Sequence, residues 1–247
     1  MNSLIQRELC ILHSAFPASL RSVKAPLHEC YTSPSMPLLD FLFPKRSLQG
    51  SEGAWITVDE QMRLRSTSKI FTSSVLRDRG LTHIDQIFAM STYQRCPFLK
   101  EAIRRFKYRC IPGVGEILCR HLCDVVGEGM DLRSDSCFCP VPLHWSREFQ
   151  RGFNQAQILA SALSHQLAIG NHPLLKRIRP TGHQAHRGRQ DRLRALQRAF
   201  RVRQMVLPHM VYLVDDVFTT GATLEECAKT LKEAGVQRVE GIVLAYD

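Results

Sequence analysis

No run in this 247-residue chain approaches the roughly 20 consecutive apolar residues of a membrane-spanning helix, so a helical membrane protein is excluded. The first apolar stretch, Met1 to Leu12, is broken by Arg7 and Glu8, which spoils it as the core of a secretory signal. Gly-x-x-x-x-Gly-Lys is absent, and with it a Walker phosphate loop. Gly-x-Gly-x-x-Gly is absent too, and with it the Rossmann dinucleotide fingerprint. Cysteine itself is not scarce, but a pairing pattern is missing: the nine cysteines fall at irregular positions 10, 30, 96, 110, 119, 123, 137, 139 and 227, which is no disulfide framework. A soluble protein of a reducing, cytoplasmic compartment is expected. There is no internal repeat. Acidic residues are scarce in one place above all. Between Lys176 and Arg203, ten Lys or Arg face the single acid Asp191, so this segment, at +9, holds most of the formal charge of +10. Such a concentration attracts phosphates, of nucleotides or of nucleic acid; a solvated basic face is the plainer alternative.

The length suits one domain of moderate size with a smaller appendage, and is enough to bury a core without covalent staples. Residues 1–35, with Pro17, Pro26 and Pro34, lack periodicity and read as an irregular extension, one that an early start codon would add. Residues 36–83 form an N-terminal region with a short strand expected at Ala54 to Val58. The compact part is expected from near Ile84, over 84–247. Helical spacing predicts helices over Pro97 to Arg109, Val114 to Val126 (ended by Gly127 and Gly129) and onward from Asn154, the last with Ile158, Leu159, Ala162, Leu163 and Leu167 inward. Apolar runs predict strands at Ser136 to Val141, Met210 to Val214 and Val239 to Tyr246. The last two are joined by a helix over Thr223 to Ala234 that stops at Gly235. Strand, helix, strand in this order gives an α/β fold with a central parallel sheet flanked by helices.

The chemistry concentrates in Val211-Tyr212-Leu213-Val214-Asp215-Asp216-Val217-Phe218-Thr219-Thr220-Gly221-Ala222-Thr223. The apolar run makes a buried strand whose carboxyl end is where open α/β sheets place ligands. Two adjacent acids there point to hydroxyl recognition or metal binding. A hydroxyl-rich turn then opens a helix, whose first N–H groups make an anion site. Gly221 lets backbone approach a phosphate. Together these residues describe a site for a ribose ring bearing a 5′-phosphate. A receiver domain also ends a strand in Asp-Asp, but has no Thr-Thr-Gly-x-Thr loop after it. A capped helix after a buried strand, with the acids as cap and surface charge, is the plain structural alternative.

This stretch resembles the phosphoribosyl-pyrophosphate (PRPP) signature of type I phosphoribosyltransferases. The chain as a whole, over residues 36–247, resembles the ComF family. The narrower resemblance rests on Met36-Pro37-Leu38-Leu39-Asp40-Phe41-Leu42-Phe43-Pro44, Phe106-Lys107-Tyr108, Pro140-Val141-Pro142-Leu143-His144-Trp145, Gln150-Arg151-Gly152-Phe153-Asn154-Gln155, and Gln184 through Arg192 to Ala199-Phe200. It implies a phosphoribosyltransferase type I fold with a small degenerate N-terminal region. Asp215 and Asp216 would hold ribose hydroxyls, and Thr219, Thr220, Gly221, Ala222 and Thr223 the 5′-phosphate. Arg151, Gly152 and Asn154 would lie in the pyrophosphate region, with the Arg151 fork suited to phosphate oxygens. Gln184, Arg187 and Arg192 would belong to a lid that excludes water. Mg²⁺ would come with PRPP. No general base is assigned.

Many members of that family have two Cys-x-x-Cys pairs after the Phe-Pro. Here the corresponding positions are Ser47 and Gly50, then Asp59 and Met62, so no zinc is expected. Cys119 and Cys123, one helical turn apart, and Cys137 and Cys139, on one strand face, read as buried small hydrophobes. The resemblance also implies participation in competence: DNA uptake or DNA utilisation, with a PRPP-dependent transferase as one reading and a single-stranded DNA-binding factor with a vestigial pocket as the other. In the second, the basic segment contacts phosphates and Trp145, Phe153 and Phe200 offer stacking surfaces, with Phe200 favoured as core.

Overall fold

A computed structural model describes residues 56–65, 68–108, 112–179, 196–203 and 207–247. In chain order the elements are α1 (Val58–Arg65), β1 (Lys69–Phe71), α2 (Ser73–Asp78), β2 (Gln86–Thr92), α3 (Pro97–Tyr108), α4 (Pro112–Gly129), β3 (Ser136–Pro140), α5 (Trp145–Arg151), α6 (Gln155–Leu167), β4 (Gly170–Asn171), β5 (Leu175–Arg177), β6 (Phe200–Val202), β7 (Met210–Phe218), α7 (Ala222–Glu233) and β8 (Arg238–Tyr246).

Six strands make the central sheet in the order β1-β2-β8-β7-β3-β4. Only β1 runs antiparallel to its neighbour; the other pairs are parallel. The expected α/β architecture, a mostly parallel sheet flanked by helices, is therefore present and fits a type I phosphoribosyltransferase-like fold. Strand alternation sends successive side chains to opposite faces. On β7, Met210, Tyr212 and Val214 enter a core with α3, α4 and α6, while Val211 and Leu213 enter a second core with α7. Because both faces are covered, the strand reads as a continuous apolar run rather than an alternating one. β5 and β6 form a separate antiparallel ribbon.

Several expectations need correction. Val58 opens a helix instead of closing a strand at Ala54 to Val58. The reason is a capping box: Glu60 Oε2 accepts from the Thr57 N–H at 2.7 Å, and Thr57 Oγ1 accepts from the Glu60 N–H at 3.3 Å. Packing begins before Ile84, since β1 pairs with β2 and Phe71, Leu76 and Leu81 are core residues. α4 starts at Pro112, as suits a proline in a first turn, and runs through Gly127 to Gly129. Ile158, expected inward, is exposed, because α6 buries the stripe Ala156, Leu159, Ala160 and Leu163. β2, β4 and the β5–β6 ribbon have no counterpart in the sequence-based reading. The N-terminal positions Met36 to Pro44, Ser47 and Gly50 lie outside the described residues. Asp59 and Met62 are exposed on α1, and Asp59 pairs with Arg63.

The cysteine pairs do not meet. Cys119 and Cys123 lie in the core on the α4 side of the sheet, and Cys137, Cys139 and Cys227 in the core on the α7 side. Burial pushes the Cys119, Cys123 and Cys139 thiols up to about 12, as suits packed thiols.

Candidate functional site

The connection leaving β3 leads through α6 to β4 on one side, and the connection leaving β7 leads through α7 to β8 on the other. β3 and β7 are neighbours, so their carboxyl ends flank a topological switch point, the crevice where open α/β sheets take ligands. One backbone bond ties the two ends together: Val141 N–H donates to the Val214 carbonyl at 2.9 Å.

β7 continues past the expected end at Val214 to Phe218, so Asp215 and Asp216 are strand residues with fixed backbone. The Asp216 N–H donates to Asp215 Oδ1 at 2.8 Å. Burial, and after it the charge of Asp216, push the Asp215 carboxyl up to about 7, against the pull of Lys107 and Arg177. Asp216 has a direct partner in Lys107 from the last turn of α3, with Nζ 2.9 Å from Oδ2. Tyr93, just beyond β2, is held well above the usual phenol range, first by burial and then by the charges of Asp216 and Asp247. Asp216 thus interacts with α3 and with the segment that follows β2.

The turn after β7 is short. Thr219 is exposed, Thr220 Oγ1 accepts from the Ala222 N–H at 3.4 Å, and Gly221 caps α7 with φ +78°. Gly221, as N-cap, supplies no side-chain acceptor of its own. Thr223 lies in its first turn, half-buried. First-turn N–H groups and hydroxyls therefore gather around the turn. Glu225, one position further into the helix than Leu224, clamps the segment before β2. Its carboxylate accepts from Thr82 N–H at 2.8 Å, His83 N–H at 3.0 Å and Ile84 N–H at 3.3 Å, and His83 Nδ1 lies 2.7 Å from it.

The second motif closes the other side. After Val141 the chain passes His144, whose Nδ1 accepts from the Ser146 N–H, into α5. Gly152 ends α5 in the left-handed region at φ 79°. Asn154 then does two jobs: its Oδ1 caps α6 by accepting from Ala156 N–H at 3.0 Å, as expected, and its Nδ2 donates to the Val141 carbonyl at 3.1 Å. Arg151 Nη1 donates to Gln155 Oε1 at 3.0 Å, and buried Gln155 donates from Nε2 to the Lys107 carbonyl at 3.4 Å. Contacts therefore run from Asp216 through Lys107 and Gln155 to Arg151. Three separate sequence motifs meet in that line.

Phe153 is half-buried against Phe106, with ring centroids 6.2 Å apart, and Phe200 is core, as favoured. Trp145 is exposed, and so is Phe149 one turn later on α5, a residue sequence reading passed over. Gln184, Arg187 and Arg192 lie outside the described residues; β5 and β6 stand on either side of that segment. Lys107 and Glu225 were also missed as site residues, since each acts on a partner distant in sequence. The capping box that marks α1 was legible as Thr-x-x-Glu.

No known family model matches the chain. Known proteins do. It is 36% identical over 145 residues to "Competence protein F" of Haemophilus influenzae, covering 56% of this chain and 63% of that protein. It is 33% identical over 148 residues to "Competence protein ComFC" of Bacillus subtilis, covering 59% and 58%. It is 38% identical over 101 residues to "DNA utilization protein YhgH" of Salmonella typhi, covering 40% and 44%. The chain thus spans less than two thirds of each of these relatives. Over these shared stretches the chain is similar to competence and DNA-utilisation proteins, in line with the expected resemblance to the ComF family.

Proposed function

We propose that the β3–β7 crevice binds PRPP and that the protein is a phosphoribosyltransferase homologue acting in DNA uptake or DNA utilisation. One observation carries the reading. The thirteen-residue run from Val211 to Thr223 spans all of β7 but Met210, the turn and the start of α7, and the Arg151 to Asn154 motif stands on the adjoining strand connection. A phosphosugar with its 5′-phosphate on the α7 N-terminus would reach Asp215 and Asp216 with its hydroxyls and extend its diphosphate toward Val141 to Asn154. The competence and DNA-utilisation names of the relatives supply the biological setting. Among the described residues no helix is long and apolar enough to cross a membrane.

The residues suit Mg²⁺ that arrives with the ligand. Among the described residues no group of three His, Cys, Asp or Glu side chains could hold a metal ion alone. Mg²⁺ is commonly held by substrate phosphates with few protein carboxylates. Bound this way, it would neutralise the diphosphate. The chain's own part is positioning and charge: hydroxyl acceptors on β7, amide donors on α7 and cations on α3 and α5.

Calorimetric titration of Mg²⁺–PRPP into the wild type and an Asp215→Ala, Asp216→Ala double variant tests the reading. Binding to the wild type that the variant loses is expected. A folded wild type that binds no PRPP overturns it. A second reading, a single-stranded DNA-binding factor, is favoured by one observation: Trp145 and Phe149 are 73% and 85% exposed and one helical turn apart. Large aromatic side chains left in water at that spacing suit base stacking.

A further inference from the structure

Lys107 presents a conflict that the PRPP reading must resolve. Its ammonium holds Asp216 at 2.9 Å, with side chains only 22% and 14% exposed. With its Oδ2 held by an ammonium, Asp216 is a weaker acceptor for a ribose hydroxyl than a carboxylate without that partner. The pair is not needed to dock α3, because Phe98, Leu99, Ala102, Ile103 and Phe106 already bury that helix in the core. A partly buried ion pair is also a weak source of stability against its desolvation cost. Its value lies elsewhere.

Three features suit Lys107 to change partners. Its backbone is fixed, by the helix and by Gln155 Nε2 on its carbonyl. Its stem is a flexible four-carbon chain ending in a compact charge, unlike the rigid fork of arginine. Its place in the last turn of α3 favours a cation whether or not Asp216 is its partner. The same Gln155 that receives Arg151 also holds the Lys107 carbonyl, so the lysine is rooted beside the side of the crevice assigned to the diphosphate, and its flexible stem lets the ammonium reach from Asp216 toward it.

We propose that Lys107 is an exchange residue: it neutralises Asp216 in the empty site, and moves to the diphosphate of incoming PRPP, freeing Asp216 for the ribose hydroxyls. This rests on the PRPP reading. It makes the site selective for a sugar bearing a diphosphate over the same sugar without one, because only the former offers the ammonium a new partner.

The test titrates PRPP and ribose 5-phosphate, each with Mg²⁺, into wild type, Lys107→Met and Lys107→Arg, with thermal melts of the unliganded proteins alongside. Wild type is expected to prefer PRPP. Lys107→Met should weaken PRPP at least about tenfold, the effect of losing one charge-assisted contact, while ribose 5-phosphate changes by less than about twofold. Lys107→Arg, which keeps the charge but can hold Asp216 with a rigid fork, should recover only part of the PRPP affinity. Equal losses for both ligands would make Lys107 a strut and overturn the proposal, as would unchanged PRPP affinity in Lys107→Met. Wild type binding both ligands equally would overturn the exchange while leaving the phosphosugar site standing. Wild type binding neither would overturn both.

Discussion

The Leu81 Cδ1 methyl lies 2.5 Å from where a Cβ on Gly221 would stand, and the edge of the Phe218 ring lies 2.7 Å from the same point. Leu81 precedes β2 and Gly221 opens α7, so the phosphate-type turn is packed from below by a distant loop. Gly221 is required twice, by this contact and by its φ of +78°. Gly221→Ala should destabilise the fold by about 2–4 kcal/mol through left-handed strain and overpacking. Urea unfolding measures it. A Leu81→Ala, Gly221→Ala double variant should lose less than the sum of the single losses, since the two share one contact.

Asp215 sets a pH dependence. An unfolded aspartate releases its proton near 3.8, whereas here the carboxyl holds it to about 7, so between these values the native state binds the extra proton. Stability should therefore fall as pH rises from about 4 to 7. Asp215→Asn should remove that slope and be more stable than wild type at pH 8, by on the order of 2–4 kcal/mol, with the gap closing near pH 4. PRPP affinity in the wild type should rise through the same window, as the carboxylate forms. Paired urea titrations and calorimetry at pH 5 and 8 check both.

Glu225 bridges 143 residues of chain to Thr82. Glu225→Ala would leave the Thr82 and His83 N–H groups without their acceptor in a partly buried place, at about 1–3 kcal/mol each. A total loss of about 3 kcal/mol in urea unfolding is expected. Hydrogen exchange at these two amides should speed up by more than at the amides of β7.

Trp145 and Phe149 are open to solvent, so changing both to Ala should alter stability by less than about 0.5 kcal/mol. If α5 stacks bases, single-stranded DNA affinity should fall at least about tenfold while the salt dependence, set by phosphate contacts, stays the same. Fluorescence anisotropy with a labelled oligonucleotide over a salt series reads both quantities.

The strands of the switch point were legible because both-face burial leaves an unmistakable apolar run. β3 and β7 are such runs: β3 ends one residue short of its expected limit, and β7 extends four residues beyond its own. β2 was missed although Ile87, Phe88, Ala89 and Met90 are all buried. Ser91 and Thr92 are buried there too, and their polarity blurs the apolar signal. The error at Val58 ran the other way: a locally strand-like stretch was overruled by the Thr57–Glu60 capping box, a signal that is present in the sequence and depends on two side chains three positions apart. Ile158 matched the helical period, but two faces of α6 offer apolar residues and only packing against β3 and β7 chose between them.

What the sequence by itself determined is the β7 turn and the Arg-Gly-Phe-Asn connection. Local chain chemistry suffices for both: an apolar run, two acids, hydroxyls, a left-handed glycine and a side-chain cap. Only the tertiary structure decided who faces whom. That Lys107 neutralises Asp216, that Glu225 clamps Thr82 to Ile84, and that Leu81 fills the space beneath Gly221 are meetings of residues far apart in the chain. Charge and shape act through space at a few ångströms, and no local pattern records which distant segment the folded sheet will bring within that range.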